Sequence, residues 1–259
     1  MRIVIIGAGR LATNIAYAWQ HEGHLIEQIY SHTMASASFL ADRLGAKATN
    51  CLDEVIGDAD AYVVAVKDNV LSQVAGQVCK GREKAVFLHT AGSMPMSIFQ
   101  DTAQHYGVLY PMQTFSKGRL VDFHRVPIFI ESNDGQSRSV VMELAHSISD
   151  DVHELTSDER RYLHLAAVFA CNFANHCYAL SAEVLHRCGL PFSVMYPLIE
   201  ETCQKVHTLS PRDAQTGPAV RYDNNVINAQ LQLLDSFPQA RRIYEEMSRS
   251  IHLSYTQHD

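Results

Sequence analysis

The chain of 259 residues is 47% hydrophobic and 19% charged, a composition typical of a folded protein with a substantial core. Its net charge of −7, without a long run of either sign, argues against a nucleic-acid partner and against an anionic membrane surface. No apolar stretch approaches the roughly 18 residues that a membrane-spanning helix needs, and the chain opens on a core strand rather than a signal peptide, so we expect a cytoplasmic protein.

Segments typical of strands and of helices alternate up to about residue 153. Strands are predicted at residues 2–6, 25–30, 47–49, 61–65, 85–89, 107–110 and 126–131. Helices are predicted at residues 11–22, 34–44, 69–78 and 137–148, with a short helical turn at 53–56. This alternation predicts the α/β class, with a mostly parallel sheet that is covered by helices on both faces.

Longer helical patterns replace the alternation after about residue 153. Thr156 and Glu159 have the spacing of a capping box, which predicts a long helix to about residue 187, where Gly189 and Pro191 end it. Further helices are predicted at residues 191–209, 223–234 and 239–253. We therefore predict an α/β domain over residues 1–153 and a smaller all-α domain over residues 154–259.

A glycine-rich turn, Gly7-Ala8-Gly9-Arg10-Leu11-Ala12, lies between the first strand and the first helix. Gly7 lets the chain turn sharply, Gly9 leaves room for a pyrophosphate near the backbone, and the small Ala12 lets helix and strand pack closely. The phosphates would rest on free N–H groups at the helix N-terminus. The turn predicts a Rossmann dinucleotide-binding domain, and a Rossmann-like fold that has lost its nucleotide is the alternative.

The end of the second strand bears on the choice of cofactor. An Asp or Glu about 20 residues beyond the glycines binds the ribose hydroxyls of NAD and repels a 2′-phosphate. Here that place holds Tyr30-Ser31-His32-Thr33, which has no carboxylate but three side chains able to donate hydrogen bonds, and Arg10 can serve as a cationic partner. We therefore predict NADP rather than NAD. The alternative is an ordinary polar loop that caps the helix starting near Ser36.

Three further loops follow predicted strands, at the sheet edge where ligands bind in open parallel sheets. Val66-Lys67-Asp68-Asn69 offers Val66 and Asn69 as cofactor contacts, although Asn69 could be only a helix cap. His89-Thr90-Ala91-Gly92-Ser93 offers Thr90 and Gly92 as cofactor contacts, while His89 is either an acid–base group or a structural residue. Tyr110-Pro111-Met112-Gln113-Thr114-Phe115 either lines a substrate pocket or closes a turn.

Polar residues on the helical half are the candidates for chemistry. If successive residues of the long helix advance by about 100° each, one stripe of it carries the side chains of His164, Val168, Cys171, Asn172 and Asn175. On so apolar a helix, His164 and Asn172 either contact a ligand or make structural hydrogen bonds.

Arg221 follows the Gly-Pro turn of the segment Thr216-Gly217-Pro218-Ala219-Val220-Arg221-Tyr222-Asp223-Asn224. Its guanidinium can clamp a carboxylate or phosphate; alternatively Asp223 caps a helix and Arg221 is only its surface neighbour.

Metal-binding and redox patterns are missing from the sequence. The six cysteines form no C-x-x-C pair, and the 14 histidines show no metal-ligand spacing, so we expect no metal cofactor and reduced cysteines.

Taken together, the glycine turn, the two loops that begin at His89 and Tyr110, the helix from His164 to Asn175 and the segment from Thr216 to Asp223 resemble a family of Rossmann-like NADP oxidoreductases. The C-terminal part of that family is a domain of unknown function, number 2520. The family is similar in plan to pyrroline-5-carboxylate reductase, 6-phosphogluconate dehydrogenase and the β-hydroxyacid dehydrogenases. This resemblance implies a reductase or dehydrogenase whose helical domain builds a homodimer, but it implies no particular substrate.

The resemblance also implies a departure from the β-hydroxyacid dehydrogenases, which carry a catalytic Lys four residues before an Asn. If Asn172 is that Asn, Val168 stands at the Lys position. Our leading hypothesis is an NADP-dependent oxidoreductase that acts on a small carbonyl or imine compound in a cleft between the domains. His164 would donate the proton, Asn172 would position the substrate and Arg221 would bind an anionic group. The alternative hypothesis is a sensor or regulatory protein that binds NADP(H) without turnover.

Overall fold

The computed structural model describes residues 1–82, 84–116 and 118–256. Within them the strands are β1 (Arg2–Ile6), β2 (Leu25–Tyr30), β3 (Lys47–Thr49), β4 (Ala61–Val64), β5 (Val86–His89), β6 (His105–Pro111), β7 (Ile128–Ser132) and β8 (Val152–Glu154). They form one sheet in the order β3-β2-β1-β4-β5-β6-β7-β8. Neighbouring strands are parallel except β6 and β7, which are antiparallel. The predicted α/β class with a mostly parallel sheet is confirmed.

The helices between the strands are α1 (Arg10–His21), α2 (Met34–Leu44), α3 (Asp68–Val78) and α4 (Gly135–His146). After β8 come α5 (Ser157–Ala167), α6 (Ala174–His186), α7 (Tyr196–Lys205), α8 (Pro218–Arg221), α9 (Asn224–Leu233) and α10 (Pro238–Thr256). Short 3₁₀ turns occur at Leu52–Glu54, Met96–Phe99, Phe123–Arg125 and Phe192–Met195. Over the described residues, no helix combines the length and apolar character required to cross a membrane.

Successive residues of β1 point to opposite faces of the sheet and enter two different apolar clusters. Ile3 and Ile5 pack with side chains of α1, α2 and α4. Val4 and Ile6 pack on the other face with side chains of α3. All four are fully buried, which explains why the strand is a continuous apolar run rather than an alternation of apolar and polar residues.

Most element boundaries lie within two residues of the predicted ones, and β8 is the strand that the sequence pattern did not indicate. It has three residues, none of them buried, and it pairs in parallel with β7. A short, half-exposed strand at the edge of a sheet has no periodic apolar pattern from which it could be predicted. Its pairing with β7 is what places it in the sheet.

The chain divides into two compact units, Met1–Asn172 and Phe173–Asp259. The division lies further along the chain than the boundary predicted after residue 153, so α5 belongs to the first unit. One reason is Arg160 of α5, whose buried guanidinium donates to Glu131 of β7. In the second unit the described residues form helices and connecting loops, in agreement with an all-α region.

The predicted long helix begins with the expected capping box but contains an unpredicted π-helical segment. Thr156 accepts a hydrogen bond from the Glu159 backbone N–H, and the Glu159 side chain accepts one from the Thr156 backbone N–H. Residues Val168–Phe173 then form a π-helix between α5 and α6. Because π-helical bonds turn the chain less per residue than α-helical bonds, the advance of about 100° assumed for the stripe from His164 to Asn175 does not hold over Val168–Phe173.

Candidate cofactor and active site

The glycine turn after β1 has a backbone geometry that only glycine accommodates. Gly7 has a φ of +129°, and its N–H donates to the carbonyl oxygen of Tyr30 over 2.8 Å. A Cβ atom on Gly7 would lie 2.4 Å from the carbonyl oxygen of Ala65. The turn therefore depends on glycine both for its conformation and for its close approach to the chain that follows β4.

The N-terminus of α1 presents backbone donors to the space in front of the turn. Gly9 is the N-cap residue, no side chain caps the helix, and its first turn contains no acidic residue. A Cβ atom on Gly9 would have no neighbour within 4 Å among the described residues. The first-turn N–H groups and the helix dipole make this end of α1 a suitable place for a phosphate.

A cavity of about 680 Å³ opens beside this turn. Its lining comes from the turn itself, from the end of β2 and the first turn of α2, from the 3₁₀ turn at Leu52–Glu54, and from the chain after β4 and along α3: Gly7, Ala8, Gly9, Tyr30, Ser31, His32, Ser36, Leu52, Ala65, Val66, Lys67, Val70, Gln73, Val74 and Gln77. None of these lining residues carries a carboxylate. The cavity therefore combines apolar walls, neutral hydrogen-bonding groups and one lysine with the N-terminus of a helix.

The cavity brings together six of the predicted cofactor contacts, namely Gly7, Ala8, Gly9, Ser31, His32 and Val66. The other six do not line it: Arg10, Leu11, Thr33, Asn69, Thr90 and Gly92. Arg10 is exposed at the start of α1, and Leu11 packs partly against the apolar core. Of the lining residues that were not predicted, Val70, Gln73, Val74 and Gln77 lie at helical spacing on α3, a signal that the sequence does contain.

Two of those six residues, Thr33 and Asn69, lie at helix N-termini. The Thr33 side chain accepts a hydrogen bond from the Ser36 backbone N–H and so caps α2, as one of the two interpretations of this loop expected. The cap interpretation of Asn69 is wrong, because α3 begins at Asp68 with Lys67 as its N-cap residue.

A second polar group lies where β5 and β6 end, at the same edge of the sheet. The Tyr110 hydroxyl is 3.0 Å from Nδ1 of His164, and the two rings meet edge to face with their centroids 6.0 Å apart. A Cβ atom on Gly92 would lie 2.7 Å from His164 Nδ1 and 2.8 Å from Tyr110 Cζ. Gly92 leaves the space that the Tyr110–His164 pair occupies, and its contact with a cofactor stays a prediction.

A buried arginine lies near this pair. Arg160, which is 1% exposed, lies one turn before His164 on α5 and forms an ion pair of 2.6 Å with Glu131. It also donates to the carbonyl oxygen of Met94 over 2.6 Å. Burial raises the pKa of the Tyr110 phenol above its ordinary value, with Arg160 opposing the shift and Asp68 adding to it. The phenol is therefore protonated at neutral pH.

His89 has the properties of a structural residue. It is fully buried, and its Nδ1 accepts a hydrogen bond from the Ala91 N–H over 3.1 Å. Burial, reinforced by the positive charge of Arg160, lowers the pKa of His89 to about 3. The imidazole is thus neutral at physiological pH, which favours the structural interpretation over the acid–base one.

The cavity and the Tyr110–His164 pair are connected through the loops after β4 and β5. Asp68, next to the cavity residue Lys67, accepts a hydrogen bond from the hydroxyl of Ser93, which follows Gly92. Further along the loop that begins at Tyr110, the Gln113 side chain accepts from the Thr114 N–H over 2.8 Å. The two candidate regions are thus adjacent parts of one sheet edge.

The other two predicted catalytic residues lie on helical segments further along the chain. Asn172 is exposed within the π-helical segment. Arg221 is exposed at the end of α8, and Asp223 accepts from the Val226 N–H to cap α9, as the alternative for this segment expected. In the part of the chain that is described, no three His, Cys, Asp or Glu side chains are grouped so as to hold a metal ion.

Two family models match the chain. The model described as "NADP oxidoreductase coenzyme F420-dependent" matches residues 2–89, and the model described as "Domain of unknown function (DUF2520)" matches residues 126–251. Comparison with curated proteins gave no significant match.

Solved structures resemble the chain over almost its whole length. A protein from Bacteroides fragilis assigned as an NADP oxidoreductase is 49% identical, with 97% of each chain covered and a TM-score of 0.93. An imine reductase from Myxococcus stipitatus, in complex with NADP⁺, is 15% identical, with 99% of this chain and 93% of that one covered and a TM-score of 0.67. A 1-pyrroline-5-carboxylate reductase from Streptococcus pyogenes is 13% identical, with 97% and 98% covered and a TM-score of 0.62. The last two likenesses concern the fold alone.

Proposed function

We propose a function from one premise: the chain belongs to the family of NADP oxidoreductases with a C-terminal domain of unknown function 2520. The proposed activity is the transfer of hydride between NADP(H) and a small carbonyl or imine compound. The observation that carries the proposal is the adjacency, at one sheet edge, of the cavity beside the glycine turn and the Tyr110–His164 pair. One region suits a dinucleotide, and the other suits proton transfer. Family membership gives the type of cofactor but not the substrate.

The residues of the cavity fit NADP. The pyrophosphate would lie on the N–H groups at the start of α1, where Gly9 leaves space. The chain after β2 supplies Ser31 and His32, and the first turn of α2 supplies Ser36, as hydrogen-bonding groups without the carboxylate that would repel a 2′-phosphate. Bound NADPH supplies hydride, and the side chains of this chain supply binding, orientation and the proton.

His164 is the residue that we assign to proton supply. Its ring is partly exposed, lies beyond the carboxyl end of β5, and is held by the Tyr110 hydroxyl. Histidine is the side chain that most often acts as a general acid or base in enzymes. Asn172 as the substrate-positioning residue and Arg221 as the group that binds an anion stay predictions from the sequence.

We also propose a homodimer formed through the helical region, as the resemblance implied. Large apolar side chains with more than half their surface exposed are frequent on the helices from α5 onward, among them Tyr162, Leu165, Tyr196, Leu198 and Leu233. Such concentrations of exposed apolar surface are typical of interaction sites.

The test combines binding with turnover. We expect calorimetry to show NADPH binding more tightly than NADH, and a screen of imines, aldehydes and keto acids to reveal a compound that oxidises NADPH. In His164→Ala, turnover should fall by about 100-fold or more while NADPH binding is retained. The control is His146→Ala, which changes an exposed histidine at the end of α4.

The possible outcomes separate the two hypotheses. Tight NADPH binding without oxidation by any compound would support the sensor. Failure of both NADPH and NADH to bind would contradict the proposal altogether. Equal turnover in His164→Ala and the wild type would remove His164 from the mechanism.

A further inference from the structure

We propose that Tyr110 is the positioning residue of this site: its hydroxyl holds the His164 ring with Nε2 directed to the substrate, and Gly92 provides the space in which the two rings meet. The inference rests on the proposed function, because it assigns how His164 delivers its proton. It adds two residues whose roles the sequence did not indicate. It also predicts which nitrogen of His164 carries the transferable proton.

The geometry assigns the two ring nitrogens different tasks. Nδ1 is 3.0 Å from the Tyr110 hydroxyl and faces the bare Cα of Gly92. Among the described residues, no hydrogen bond engages Nε2. Tyr110 is 8% exposed, whereas the His164 ring is only partly buried, so a substrate reaches the histidine more easily than the phenol. Nε2 is therefore the nitrogen available to a substrate.

A tyrosine hydroxyl suits this task because it can both accept and donate a hydrogen bond. When His164 is an imidazolium, Nδ1–H donates to the Tyr110 oxygen. When His164 is neutral with its proton on Nε2, the Tyr110 hydroxyl donates to Nδ1. The contact thus survives the loss of the proton, and the ring does not have to turn during the reaction.

The surroundings keep Tyr110 itself out of the proton transfer. Burial raises the pKa of its phenol, so the hydroxyl retains its proton at neutral pH. The hydroxyl also lies 3.8 Å from the thioether sulfur of Met112, a weak acceptor that can take the hydroxyl hydrogen while the oxygen accepts from Nδ1–H. Tyr110 therefore acts through His164 rather than directly on the substrate.

Gly92 sets the distance at which the two rings meet. A methyl group there would lie 2.7 Å from Nδ1 and 2.8 Å from Tyr110 Cζ, closer than side chains pack. Gly92 has no positive φ, so the requirement for glycine is one of space rather than backbone conformation. An alanine at this position should separate the pair without straining the loop.

Reduction of the substrate would use a hydride from bound NADPH and a proton from His164. As the substrate carbon gains hydride, the π electron pair of its C=N or C=O bond moves to nitrogen or oxygen. That atom takes the proton from His164, so the Nε2–H bond breaks and an N–H or O–H bond forms. The imidazole is left neutral, with the Tyr110 hydroxyl now donating to Nδ1, and it regains a proton from solvent.

The first test reads the ring nitrogens directly. In the full chain labelled with nitrogen-15 on histidine, NMR should show neutral His164 with its proton on Nε2 and a hydrogen-bonded Nδ1. Tyr110→Phe, which keeps the ring, should shift the Nδ1 resonance and change the tautomer ratio. The matched control is Tyr106→Phe, on the same strand but with its ring packed against Phe99 instead of His164. Identical His164 resonances in Tyr110→Phe and the wild type would overturn the proposal.

The second test is kinetic. With a compound that the wild type reduces, Tyr110→Phe should lower kcat by about 10- to 100-fold, less than loss of a whole acid–base group, and leave the KM for NADPH unchanged. Gly92→Ala should have the same effect, whereas Gly57→Ala, where a Cβ meets no neighbour within 4 Å among the described residues, should have none. Wild-type kcat in both Tyr110→Phe and Gly92→Ala would refute the inference while leaving the proposed function intact. If the wild type itself shows no turnover, the proposed function fails, and the NMR result alone decides the inference.

Discussion

Gly7 and Gly9 belong to the same turn, yet a methyl group meets a backbone oxygen at Gly7 and open space at Gly9. Gly7→Ala should therefore lower the free energy of unfolding by about 2 kcal/mol or more, because φ is positive and the clash involves the main chain. Gly9→Ala should change the free energy of unfolding by less than about 0.5 kcal/mol but weaken NADPH binding roughly tenfold or more, about 1.4 kcal/mol. Urea unfolding and calorimetry check the two effects, and a Gly9→Ala protein that binds NADPH like the wild type would show that the phosphates lie elsewhere.

The burial of His89 predicts how the free energy of unfolding depends on pH. Its pKa is about 3 in the folded protein against an ordinary 6.5, so between these values the unfolded chain binds the proton and the folded one does not. The stability that depends on neutral His89 is complete above pH 6.5 and is lost as the pH falls below it, by up to about 1.4 kcal/mol per pH unit. Urea unfolding from pH 7 to pH 4.5 should show a shallower pH dependence in His89→Asn. An unchanged slope would mean that His89 is not buried as described.

At the scale of elements, α5 is attached to the sheet through a buried ion pair. Glu131 of β7 accepts from the Ser157 N–H and hydroxyl and from Arg160, which is 1% exposed. Glu131→Gln leaves the arginine charge buried without its counterion, and we expect a loss of about 3 kcal/mol or more in the free energy of unfolding. Glu154→Gln, which breaks the exposed pair with Arg138, should cost less than about 1 kcal/mol. Equal losses in urea unfolding of the two variants would contradict this account.

At the scale of the whole molecule, the predicted family and fold are confirmed by the family models and by the 49% identical Bacteroides fragilis structure. The homodimer stays a prediction. If it forms, sedimentation equilibrium should give a mass of about twice the 29.0 kDa of one chain. Leu198→Asp, on α7 where the side chain is 62% exposed, should weaken the dimer. Leu25→Asp, 55% exposed at the start of β2, should not. A mass of one chain at all concentrations would contradict the homodimer.

The sequence by itself determined the features that depend on neighbouring residues: the alternation of strands and helices, the glycine turn and the capping box at Thr156. Each follows from local periodicity or from hydrogen bonds within a few residues, so each can be identified from the chain alone. Only the tertiary structure decided which distant residues meet. Tyr110 and His164 are 54 positions apart in the chain, and their contact requires the end of β6, the last turn of α5 and the space at Gly92 together. The burial of His89 and the short strand β8 depend in the same way on what packs or pairs with them, which no local pattern records.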